Sequence, residues 1–196
     1  FADSANSKFS QTDFIVLKDS IKIYKKTNPL SESKNEIIFE ESNLAPENVR
    51  IVFNDLFKQY IAVKDALVYN DSFGAKRNML QLIDDLKSET KDFEILNKDD
   101  RWVFFINNYD KIRNKANSTT FISDQRFLFN EITIGLMKFI KQFGLNNKSI
   151  YIMNCLTDSS IGNAVWLSNK NDTKNPYLGL MNDTLCAKVK EVWKFP

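Results

Sequence analysis

Pro46-Glu47-Asn48-Val49-Arg50-Ile51-Val52-Phe53-Asn54-Asp55-Leu56-Phe57-Lys58-Gln59-Tyr60-Ile61-Ala62-Val63-Lys64-Asp65-Ala66-Leu67 is the stretch whose reading decides the fold class. Val49, Val52, Phe53, Leu56, Tyr60, Val63 and Leu67 recur every three or four positions, which is the spacing of one face of an α-helix. Pro46 suits a first helical turn, because the N–H it lacks would have no intrahelical partner there. A second helix is expected after the capping side chains of Asn70-Asp71-Ser72 and runs through Met79, Leu80, Leu82, Ile83 and Leu86. Trp102, Val103, Phe105, Ile106, Tyr109 and Ile112 mark a third. A fourth starts near Ser123 or Asp124 and continues through Phe127, Phe129, Ile132, Ile134, Leu136, Phe139 and Ile140 to a stop at Phe143-Gly144. Four amphipathic helices with short connections predict a mainly α chain built as an up-and-down four-helix bundle, since each apolar face needs a partner.

Outside these helices the pattern changes at both ends. Residues 1–44 form an expected N-terminal arm of one or two strands or a short helix: Phe14-Ile15-Val16-Leu17 and Ile21-Lys22-Ile23-Tyr24 are short β-prone runs, a polar stretch from Thr27 to Glu36 separates them from Ile37-Ile38-Phe39, and the arm's apolar side chains are expected to cover the bundle. The bundle domain then occupies residues 45–196 and ends in an irregular segment, 147–196, that carries both cysteines. Ile150-Tyr151-Ile152-Met153 and Ala164-Val165-Trp166-Leu167 are strand-like there, while Ser159, Ser160, Gly162, Asn163, Asn169, Asn171 and Asp172 supply turn chemistry. Residues 185–192 are expected to form a short final helix.

Composition narrows the function classes. With 196 residues, 43% of them hydrophobic, the chain fits one domain with a sizeable core. Five glycines and four prolines are too few for a turn-rich sandwich or barrel. Twenty-seven basic against 25 acidic residues leave a net charge of +2 with no basic stripe, which disfavours nucleic acid as a partner. No window approaches the roughly 18 apolar residues of a membrane span. The start at Phe1-Ala2-Asp3-Ser4, without Met, reads as a mature chain whose export signal has been removed. The absence of histidine removes the commonest general base, the commonest metal ligand and every Ser-His or Cys-His nucleophile. No enzyme is expected.

Two motifs carry a resemblance. The first is Tyr60-x-x-x-Lys64-Asp65-Ala66-Leu67-Val68-x-x-Asp71; the second joins Cys155, Gly162-x-Ala164-x-Trp166-Leu167-Ser168, Asn175-Pro176-Tyr177-x-Gly179 and Cys186. Together with Trp102, Gln125-Arg126 and Phe143-Gly144 they resemble a bacterial family of unknown function, found as exported stand-alone proteins and fused to periplasmic adaptors of heavy-metal (copper/silver) efflux pumps. The resemblance implies a periplasmic or otherwise extracytoplasmic location and a metal-efflux component or another extracytoplasmic protein as partner. Where that family has Cys-Pro-Met, this chain has Cys155-Leu156-Thr157.

Three readings of the cysteines remain open. Cys155 and Cys186, with Met153 and Met181, place soft sulfur ligands of the kind Cu(I) prefers in one segment. The same cysteines, in an oxidising compartment, can instead form a disulfide that pins the tail. Two buried, unpaired thiols are the third reading. Trp166 and Tyr177 either line a pocket or pack, and Asn175-Pro176-Tyr177 reads as a rigid turn with an aromatic anchor. The functional expectation is a non-enzymatic exported domain that binds a soft metal such as Cu(I) or assists metal efflux, with a disulfide-stapled structural or interaction module as the alternative.

Overall fold

A computed structural model describes residues 35–156, 163–180 and 186–196. The runs at 14–17 and 21–24, together with Gly162 and Met181, lie outside the described residues. The described chain is mainly helical, with a small four-stranded sheet built largely from its C-terminal part.

Helix α1 (Glu47–Val68) begins directly after Pro46, whose carbonyl accepts from Val49 N at 3.0 Å and Arg50 N at 3.2 Å. Pro46 therefore caps the helix rather than occupying its first turn. The predicted capping at the next start holds: Asp71 accepts from Gly74 N at 2.8 Å and opens α2 (Ser72–Ser88). The two helices form an antiparallel hairpin, in which Gln59 bonds Asp85 and Asn78 donates to Ala62 O at 3.2 Å. Asn70 makes the turn at φ 57°, a left-handed conformation that asparagine tolerates better than most residues.

The predicted third helix is divided. A short α3 (Glu94–Asn97) precedes α4 (Asp100–Asn107), capped by Asp99, and α5 (Tyr109–Ser118) follows it. The break falls at Asn108, whose side-chain amide donates to the carbonyl of Phe104 at 2.9 Å and so competes with the backbone ladder. Helix α6 (Ile122–Phe143) starts slightly before the expected Ser123 and stops at Gly144, as predicted. Gly144 has φ 84°, and a Cβ there would lie 2.9 Å from the Leu44 side chain.

Four strands complete the fold: β1 (Asn35–Ile38), β2 (Ser149–Leu156), β3 (Asn163–Ser168) and β4 (Lys188–Lys194), in the order β1-β4-β2-β3. β2 is antiparallel to both neighbours, and its pairing with β4 shifts register between Ile152 and Met153. β1 runs parallel to β4. The helix expected at 185–192 is thus corrected to a strand over its described C-terminal part. Val189, Val192 and Trp193 have the spacing of a helix face, but the hydrogen bonds of β2 and β1 on both sides hold Lys188–Lys194 extended. Residues 35–39 of the expected arm join this sheet, and Phe39 stacks on Phe195 with ring centroids 4.4 Å apart.

A line of aromatic contacts runs through the core. Phe53 stacks on Phe143 (5.7 Å), Trp102 meets Phe139 edge-on (5.7 Å), and Tyr60 stacks on Phe129 (5.0 Å). No helix among the described residues is long and apolar enough to cross a membrane.

Candidate functional site: the disulfide and the closed edge of the sheet

Cys155, fully buried on β2, is bonded to Cys186, which lies just before β4 and is partly exposed. Among the three sequence readings of the cysteines, the structure holds the disulfide. Sulfurs in a disulfide carry no thiolate, so in this form the donor set expected for Cu(I) is incomplete. Met153 shares a face of β2 with Cys155, two residues away, and is buried in the core. Among the described residues no group of three or more His, Cys, Asp or Glu side chains is placed to hold a metal ion.

Asn175 connects the disulfide to the rest of the segment. Its side chain is fully buried; Oδ1 accepts from Tyr177 N at 2.8 Å, which leaves Nδ2 to donate to Cys186 Sγ at 3.6 Å. Its backbone carbonyl accepts from Gly179 N at 3.1 Å, closing the turn around Pro176. Arg126 of α6 holds that turn from outside, donating to Pro176 O (2.9 Å), Asn70 Oδ1 (2.7 Å) and Leu67 O (3.3 Å). Gly179, at φ 73°, has no Cβ because one would lie 2.8 Å from Asn70 Oδ1 and 3.1 Å from the Arg126 guanidinium.

Two tyrosines close the outer edge of β3. Tyr177 donates to Val165 O at 2.8 Å, and the Tyr60 hydroxyl accepts from Leu167 N at 3.1 Å while sharing a 2.8 Å hydrogen bond with Thr133. An uncovered strand edge is a template for pairing with another chain, and here side-chain hydroxyls take the backbone groups that a fifth strand would bond. Burial pushes both tyrosine hydroxyls well above their ordinary values, so they stay protonated at neutral pH. Trp166 is fully buried and meets Tyr177 edge-on at 6.2 Å.

Lys64 was quoted in the first motif but not singled out as a site residue. Its side chain is fully buried on α1, with Nζ 3.1 Å from Asp65 Oδ1 but not aligned for a hydrogen bond. The sequence carried a signal, since Lys64 falls four residues after Tyr60 on the apolar face. Arg126 and Gly179 gave no comparable local signal for their contact. A cleft of about 320 Å³ lies elsewhere, lined by Leu44, Ile95, Lys98, Asp99, Gln142 and Phe143, and contains none of the predicted site residues.

Residues 56–148 match the profile of a protein family of unknown function, DUF3347. The matched stretch contains the Tyr60 to Asp71 motif and ends just before β2, so Cys155 and Cys186 fall outside it. No curated protein and no solved structure matches the chain.

Proposed function

We propose that this chain is a non-enzymatic, extracytoplasmic binding or structural module whose tail is stapled by the Cys155–Cys186 disulfide. The disulfide is the observation that carries the reading, because such bonds persist in oxidising compartments and are rare elsewhere. The side chains around it support a mechanical role: Asn175, Tyr177, Arg126 and Tyr60 each hold at least one backbone group. The helical part is read as an up-and-down four-helix bundle whose third leg is α4 with α5. Phe73 and Phe121, 79% and 72% exposed near the starts of α2 and α6, support a protein partner, which the efflux-pump resemblance suggests is an extracytoplasmic component.

Closing a loop across a sequence separation of 31 stabilises by about 3 to 4 kcal/mol in the chain-entropy description. A thiol count on the isolated protein is expected to give zero for the two cysteines, and reduction is expected to lower the melting temperature. Equal melting temperatures before and after reduction would sink the staple.

A second reading rests on Met153 and Cys155 sharing one face of β2, with Cys186 bonded to Cys155. Reduced, these sulfurs form a soft donor set for Cu(I), to which Met181 is the remaining sequence candidate. An anaerobic Cu(I) competition titration of the reduced protein decides it: one-to-one binding lost in Cys155→Ser supports the metal reading, and no binding removes it.

A further inference from the structure

The two sulfurs of the disulfide are not equivalent. Cys155 Sγ is sealed in the core on β2, whereas Cys186 is partly exposed and receives the Asn175 amide. The orientation of that amide is fixed, because Tyr177 N requires Oδ1 as its acceptor at 2.8 Å. A disulfide sulfur is a weak acceptor, while a thiolate in the same place is a strong one. A buried amide N–H is therefore already aimed at the sulfur whose charge it would stabilise on reduction.

We propose that Cys155–Cys186 is a thiol–disulfide exchange site, with Cys186 the attacked sulfur, Cys155 the first to leave, and a dithiol protein or small dithiol as the partner. This rests on the disulfide reading above. In the first step a donor thiolate bonds to Cys186 Sγ, the Cys155–Cys186 bond breaks, and its electron pair goes to Cys155 Sγ, which takes a proton. In the second the donor's other thiolate attacks the donor sulfur of the mixed disulfide, and Cys186 leaves as a thiolate facing Asn175 Nδ2. The protein disulfide is reduced by two electrons and the dithiol is oxidised to its own disulfide, the two donor protons ending on the protein thiols or in solvent. Exchange depends on which sulfur is reachable and on how well the leaving thiolate is stabilised. Reachability selects Cys186 for attack in the first step, and in the second step the departing Cys186 thiolate is stabilised by Asn175, a positioning residue.

The Asn175 side chain that faces Cys186 also holds Tyr177 N, so the exchange site shares a residue with the turn that ties Val165 O on the edge of β3.

The test uses the whole chain and reduced glutathione, a monothiol with no second thiol of its own to resolve the mixed disulfide, which is trapped by rapid alkylation of the freed cysteine before peptide mapping. The expected result is glutathione on Cys186 and the alkyl label on Cys155, with a preference of about tenfold or more. Equal labelling, a preference for Cys155, or a disulfide that reacts only after denaturation would overturn the proposal while leaving the staple intact. Free thiols on the protein as isolated would instead overturn the staple itself. In the reduced protein, Asn175→Ala is expected to move the alkylation pH profile of Cys186 upward by about one unit, the loss of one hydrogen bond to a thiolate. An unmoved profile in folded Asn175→Ala would remove Asn175 from the proposal, and the wild-type mapping stands whether or not that variant folds.

Discussion

Where α1 meets α6, Phe53 is buried against Phe139 and Phe143; about two turns further along the same helix, the Tyr60 hydroxyl ties α1 to the sheet, shared between Thr133 and Leu167 N. The helical contact is broad and apolar, so its strength scales with area and many residues contribute. The contact with the sheet adds discrete ties: two tyrosine hydroxyls, an asparagine, an arginine and a disulfide. Each hydrogen-bonding tie satisfies a particular backbone group, so its loss strands a partner instead of merely thinning a contact. The difference teaches that the helical part is held by quantity of burial, and the segment around the cysteines by identity of side chain.

The comparison is sharpened first by Phe53→Ala. Removing a buried ring between α1 and α6 is expected to cost about 3 to 5 kcal/mol in denaturant unfolding. A cost below about 1 kcal/mol would break the account of that interface. Next comes Tyr60→Phe, which keeps the ring and strands Leu167 N and the Thr133 hydroxyl, with an expected cost of about 1 to 3 kcal/mol. Hydrogen exchange at the Leu167 amide is expected to accelerate well beyond that of the β2 amides; uniform acceleration would mean that the edge is not separately tied.

The smallest effect is expected on the surface of the helical part. Burial pushes the Asp84 carboxyl up, but hydrogen bonds from Arg113 and Tyr109 and the charges of Arg113 and Lys87 outweigh it and hold the group below the ordinary carboxylate value. A lowered folded value contributes stability above the unfolded value, about 3.9, and loses it as pH falls through the folded one. Asp84→Asn is therefore expected to cost less than about 1 kcal/mol at pH 7, since the pair is partly exposed, and the deficit is expected to shrink toward pH 3. Unfolding curves of both proteins at the two pH values check the sign.

The same contrast decides how far the sequence could be read. Helices α1, α2 and α6 were legible because their apolar period is long and uninterrupted, and Asp71 and Gly144 mark a start and a stop that depend only on local chemistry. The break at Asn108 was not, because Phe105, Ile106, Tyr109 and Ile112 keep a helical spacing across it. β4 was misread since Val189, Val192 and Trp193 satisfy a helical period as well, and only its neighbours in the sheet settle the matter. At the site, the cysteines, Asn175 and Tyr177 were visible as a group, but whether the sulfurs join depends on where β2 and the start of β4 lie in space. The Arg126 ties to Asn70 and Pro176 link residues 56 and 50 positions away, and no local pattern encodes such a meeting.

The parallel pairing of β1 with β4 gives the molecule an order of assembly in time. Glu36 and Lys194, joined by an ion pair at 2.9 Å, are separated by 158 positions, so the strand made first among the described residues waits for the one made last. During synthesis the hairpin of α1 and α2 can form from neighbours a few tens of residues apart, while Asn35–Ile38 travels without its partner. Only when Lys188–Lys194 has emerged can β1 dock, and by then Cys186 has also arrived to meet Cys155. Closure of the sheet and closure of the covalent bond thus wait on the same stretch of chain, residues 186–194.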